Sequence, residues 1–186
     1  MNATTILQVE DDENDVFFFQ RAMKKAGLAH LLQVAHDGRE AIDYLQGVGK
    51  FAERKKFPLP GLILLDLKLP FVMGLDVLKW IRQQPELPCV VIILSSSREE
   101  GDVAEAYRSG ANAYLVKPAN VCELEGLARA INDFWLMRNT PPPMCLAGRE
   151  LKTPANPSAQ LFRGFGRPAV TGSHVRASSK VSRSDL

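Results

Sequence analysis

Five short runs dense in Val, Ile and Leu recur along the chain, each followed by an amphipathic stretch. They are "TTILQVE" (4–10), "HLLQVAH" (30–36), "GLILLD" (61–66), "PCVVIILS" (88–95) and "ANAYLV" (111–116). Short runs with many branched residues read as strands, and near-continuous apolarity means burial on both faces. The stretches between them have helical spacing. "ENDVFFFQRAMKKAG" (13–27) sets Val16, Phe17, Phe19, Gln20, Met23 and Ala26 near one face and closes on Lys24, Lys25 and Gly27. "DGREAIDYLQG" (37–47) offers Asp37 as N-cap, and "GLDVLKWIRQQ" (74–84) puts Leu75, Leu78 and Ile81 on one side. "REEGDVAEAYRSG" (98–110) and "NVCELEGLARAINDFWLMR" (120–138) give two further helices. Residues 48–60, "VGKFAERKKFPLP", hold four bases and two prolines and are expected to form a long exposed loop. A βα unit repeated five times predicts an α/β fold: a doubly wound, five-stranded parallel sheet with helices on both faces.

In such a sheet the site lies beyond the carboxyl ends of the strands. Strand one ends in Glu10, Asp11 and Asp12, strand three in Asp66, strand four in Ser95, Ser96 and Ser97, and strand five in Lys117 before Pro118. Asp66 closes a buried apolar run, where a carboxylate is costly unless its charge is used. Crowded carboxylates repel unless a cation joins them, and their hard oxygens suit Mg²⁺. A carboxylate can also attack phosphorus to form an aspartyl phosphate, a reaction that needs charge neutralisation by a metal and a lysine. Acids at one strand end are ordinarily solvated loop starts, and three serines ordinarily cap a helix. It is their joint arrival from four strands that points to phosphoryl chemistry.

Composition narrows the class. Past residue 139 the chain carries seven Lys/Arg and two acids, a net of +5, while residues 1–139 hold 16 bases and 19 acids, a net of −3. The folded part therefore offers no broad basic surface for nucleic acid. Residues 140–186 are rich in Pro, Gly and Ser, lack periodicity and are expected to be a disordered basic tail. Cys89, Cys122 and Cys145 are far apart and lack metal-binding spacing. No signal peptide or membrane-length apolar run is found, so a cytoplasmic protein is expected.

"VEDDENDV", "LILLDLKLP…MGLDVL", "VVIILSSS" and "GANAYLVKP" resemble, in order and spacing, the receiver domain of two-component response regulators over residues 4–138. The resemblance implies the flavodoxin-like strand order 2-1-3-4-5 for a receiver domain spanning 1–139. It implies that Asp66 accepts a phosphoryl group from the phosphohistidine of a sensor histidine kinase. Asp11 would be the main Mg²⁺ ligand, with Glu10, Asp66 and the backbone carbonyl of Lys68 completing the protein's share. Lys117 would pair with phosphoryl oxygens, Ser95 and Tyr114 would be the switch pair, and Pro118 would follow a cis peptide bond. Such a protein is a phosphoacceptor for signalling rather than an enzyme with a separate substrate. The "ED" pair, the basic loop, "DLKLP", "LSSSREE" and "INDFWLMR" resemble the small receiver-only regulators that pair with phytochrome-type kinases. Lys68 departs from the Asn often found there, which points to an altered phosphoryl lifetime.

With no DNA-binding domain in the sequence, output is expected through protein contacts. The expected form is a homodimer through the helix 4–strand 5–helix 5 face and the Phe134/Trp135 end of helix 5. Three rivals are weighed. An aspartyl phosphohydrolase would want an acid at Lys68, and a flavin mononucleotide binder would not want "EDDEND" after strand one. The third is a receiver-like adaptor that is never phosphorylated.

Overall fold

The computed structural model describes residues 4–27 and 32–140. The expectations on the tail, on Cys145 and on His30 fall outside those residues. The strands are β1 (Ile6–Val9), β2 (Leu32–Ala35), β3 (Leu62–Leu65), β4 (Val90–Ser95) and β5 (Ala113–Val116). The helices are α1 (Glu13–Lys25), α2 (Gly38–Gln46), α3 (Gly74–Arg82), α4 (Glu100–Arg108) and α5 (Val121–Ile131). All strand pairs are parallel, in the order β2-β1-β3-β4-β5.

Period-two alternation divides the strands between two cores. Leu7, Val9, Ile63, Leu65, Val91 and Ile93 pack with Tyr44, Leu45, Val77, Leu78, Ile81 and Ala106 from α2, α3 and α4. Ile6, Leu62, Leu64, Val90, Ile92 and Leu94 pack with Phe19, Ala22, Met23, Ala128 and Ile131 from α1 and α5. Each strand's two faces are thus both covered, which is why the runs read as solid apolar blocks. Trp80 is half-buried against the first core, as its spacing indicates. Asp37 caps α2, its carboxylate accepting from the Glu40 N–H at 2.6 Å.

Residues 48–60 are not the exposed loop that their charge predicts. Gly49–Phe51 form a 3₁₀ turn, and Phe51 is buried against Tyr44 and Phe57 in an aromatic cluster with centroids 5.1–6.0 Å apart. Arg54 folds back over the end of α2 and donates to the carbonyls of Tyr44 (2.8 Å), Leu45 (2.6 Å) and Phe57 (3.3 Å). Those α2 carbonyls are among the groups a helix C-terminus leaves unpaired. Four bases within seven residues read as solvated charge, but one of them is a helix cap.

Two other expectations are corrected. Phe17 and Phe18 are exposed and only Phe19 of the three is buried, because three consecutive residues cannot share one helical face. The fifth helix does not run regularly to residue 138. It widens at Asn132–Leu136, where Met137 N–H bonds the Asn132 carbonyl five residues back. The wider turn leaves Trp135 and Leu136 against the α1/α5 core and Phe134 and Met137 in solvent.

Replacing Arg54 with Ala should cost about 2 kcal/mol of unfolding free energy, the scale of lost charged hydrogen bonds to part-buried carbonyls. Lys should not restore it, since one ammonium cannot reproduce the planar fork. Urea denaturation of the three proteins measures both.

Candidate functional site

The switch point of this sheet lies between β1 and β3, whose ends are in register at Val9 and Leu65. The next residue on each strand is an acid. Glu10 and Asp66 are 2% and 6% exposed, and the Asp66 N–H donates to the Val9 carbonyl at 3.1 Å. The turn after Asp66 is held close by small residues. A Cβ on Gly74 would lie 1.9 Å from the Asp66 carbonyl oxygen, and one on Gly38 would lie 2.0 Å from that of Val72. Only glycine lets the backbone approach this tightly.

The three acids after β1 do different things. Glu10 points into the site. Asp12 is the N-cap of α1, accepting from the N–H groups of Asn14 (2.8 Å) and Asp15 (3.4 Å), and those bonds hold its carboxyl below the usual value. Asp11 is exposed, and one oxygen each from Glu10, Asp11 and Asp66 lie within 4.8 Å of one another. Three hard oxygens at that spacing fit a divalent cation that keeps several waters.

Lys117 continues β5, its N–H donating to the Ser95 carbonyl at 2.9 Å. Its ammonium stands 2.5 Å from Glu10 Oε2, 2.8 Å from Asp15 Oδ2 and 2.9 Å from Asp66 Oδ2. The other Asp66 oxygen accepts from the N–H of Leu67 at 2.6 Å and, more weakly, of Lys68 at 3.5 Å. Burial pushes the Glu10 carboxyl up to about 7, against the pull of Lys117 and aided by the charges of Asp66 and Asp15. Burial also opposes the charge on Lys117, yet its three carboxylates hold it above the ordinary lysine value. Burial drives the first shift, and the three carboxylates around one ammonium drive the second.

Ser95 is fully buried at the end of β4, its hydroxyl accepting from the Ser97 N–H at 3.4 Å. The Tyr114 ring is half-buried against the α2–α4 core, and its hydroxyl donates to the Ser97 carbonyl at 3.0 Å. The Ser97 hydroxyl donates to Asp102 of α4 at 2.5 Å. Lys68 is exposed beside Asp66. Among the described residues no peptide bond is cis, so Lys117–Pro118 is trans. The pairing of β5 with β4 and the three carboxylates already aim Lys117 inward.

Glu10, Asp11, Asp66 and Lys117 are therefore gathered as their strand-end positions predict, with Ser95 and Tyr114 on the neighbouring strands. Asp15 escapes sequence reasoning, and Ser97 is named at the strand end without its bonds to Tyr114 and Asp102. An acid in the first turn of a helix reads as a partner for the helix dipole, and the third serine of a run reads as turn.

A family model described as the response regulator receiver domain matches residues 6–129. Response regulator Rcp1 of Synechocystis sp. is 38% identical over 138 residues, 74% of this chain and 92% of that protein. The crystal structure of the Mn(2+)-bound form of Rcp1 is similar with a TM-score of 0.67 at 37% identity, covering 75% of this chain and 99% of that one. The phosphorylated cyanobacterial phytochrome response regulator RcpA is similar with a TM-score of 0.70 at 35% identity, covering 76% and 99%.

Replacing Lys117 with Met should lower the stability of metal-free protein by about 3 kcal/mol, the cost of stranding buried carboxylates without their counter-charge. Added Mg²⁺ should narrow the deficit. Chemical denaturation with and without a chelator measures both effects.

Proposed function

The chain belongs to the response regulator receiver domain family, and from that membership we propose that Asp66 is its phosphoacceptor, charged by a sensor histidine kinase. One observation carries this reading: β1, β3 and β5 deliver Glu10, Asp66 and Lys117 to one point, with Lys117 2.9 Å from Asp66. An oxygen of Asp66 attacks phosphorus and a P–O bond forms. The P–N bond of the donor phosphohistidine breaks, its electron pair stays on nitrogen, and the ring leaves as neutral imidazole if its other nitrogen carries a proton. Lys117 neutralises phosphoryl oxygens as negative charge gathers. Glu10, Asp11, Asp66 and the Lys68 carbonyl would hold Mg²⁺, which when bound supplies further neutralisation of the transferring group. The Mn(2+)-bound Rcp1 structure supports a divalent ion at such a site.

Readout follows from the β4 and β5 ends. The Ser95 hydroxyl turns from the Ser97 N–H toward the phosphoryl group, and Tyr114, bonded to the Ser97 carbonyl, follows. The face of α4, β5 and α5 changes with them, a shift that the phosphoryl group drives by binding one arrangement better than the other. The phytochrome regulators among its relatives support a phytochrome-type kinase as donor. Phe134 and Met137, 54% and 72% exposed at the end of α5, support a homodimer through that face. Among the described residues no helix is long and apolar enough to cross a membrane.

Incubation with acetyl phosphate and Mg²⁺ should add one phosphoryl group by intact mass, lost in Asp66→Asn and on omission of the metal. A protein that stays unlabelled is instead an adaptor that works without phosphate. In the same material, Lys68→Asn should shed phosphate several-fold faster after the donor is removed, because a long cationic side chain no longer borders the path of water. Phe134→Asp should shift the protein to monomer in sedimentation velocity.

A further inference from the structure

The Lys117 ammonium donates to Asp15 at 2.8 Å and to Asp66 at 2.9 Å and forms an ion pair with Glu10 at 2.5 Å, and the three carboxylates are not equivalent. Glu10 and Asp66 belong to the group whose oxygens converge within 4.8 Å as a cation site. Asp15 does not belong to that group. It comes from the first turn of α1, where the Asp12 cap fixes the helix start, and reaches Lys117 with its side chain 44% exposed.

A divalent ion held by Glu10, Asp11 and Asp66 would repel the Lys117 ammonium and compete for the oxygens it holds. Of the three partners, Asp15 is the one such an ion leaves in place. The geometry points to Asp15 as the positioning residue for Lys117: a carboxylate outside the cation site that keeps the ammonium at the edge of Asp66 once the other two are drawn away. This inference rests on the phosphoacceptor role of Asp66. Asp15 does not touch the transferred group. It acts by holding Lys117 on the α1 side, so that the lysine meets phosphoryl oxygens arriving at Asp66 without first having to be recovered from solvent.

The experiment uses the full chain with saturating Mg²⁺ and phosphoramidate as donor, with wild type, Asp15→Asn, Asp15→Glu and Asp66→Asn. For Asp15→Asn the maximal labelling rate should fall about tenfold, the effect of one lost charge contact in the transition state, with the half-saturating donor concentration unchanged. Asp15→Glu should recover most of the rate. A second readout needs no turnover. With selectively ¹³C-labelled lysine and Mg²⁺ present, the two Hε protons of Lys117 should be inequivalent in wild type and merge in Asp15→Asn as the side chain loses its anchor. If Asp15 is only an acid in the first turn of α1, Asp15→Asn will change the melting temperature but neither the rate nor the Lys117 signals, and the inference is overturned. A faster rate in Asp15→Asn overturns it as well, since Asp15 would then restrain the lysine. If wild type takes no label, or Asp66→Asn takes as much, the phosphoacceptor reading itself falls and takes this one with it.

Discussion

The ammonium of Lys117 is the interaction on which this molecule depends. Among the described residues it is the one positive group paired with Glu10, Asp15 and Asp66, two of which are almost wholly buried. Buried carboxylates repel each other and lack the water that would screen them. Without Lys117 the ends of β1 and β3 would hold adjacent uncompensated charges. Even with it, three carboxylates share one ammonium; burial raises Glu10, and the carboxylates raise Lys117. An excess of negative charge of that kind favours a cation.

Parallel topology makes the gathering possible. Every strand ends at the same edge, so residues 10, 66, 95 and 117, far apart in sequence, become neighbours by register alone. The local chain then refines each position. The Asp12 cap turns α1 away from β1, and Gly74 lets the turn after β3 fold onto the Asp66 backbone.

The sheet, its order and the strand-end residues could be read in the sequence because each depends on a short-range signal. Apolar runs mark strands, the residue following each run marks the edge, and the family motifs supply the order. What could not be read depends on contacts between distant residues. Asp15 has the same local signature as any acid at a helix start, and only the position of Lys117 distinguishes it. Arg54 sits in a basic stretch that looks solvated, and only the end of α2 gives it a purpose. Phe17 reads as part of the apolar face with Phe19, yet the helix turns it outward. The irregular turn at Asn132–Leu136 has no composition signal of its own.

The two cores share no residue, and the backbone of the sheet lies between them. Tight packing transmits displacement well within a layer, but a hydrogen-bonded sheet backbone is a stiff partition. Tyr114, Ser97 and α4 lie in one compartment, and α1 with its first-turn carboxylate lies in the other. Lys117 follows Ala113 and Leu115 in the alternation of β5, on the α1/α5 face, and its ion pair to Asp15 lies at the rim of that compartment. Side-chain rearrangement within one layer therefore has the strand ends, and not the layer interiors, as its route to the other.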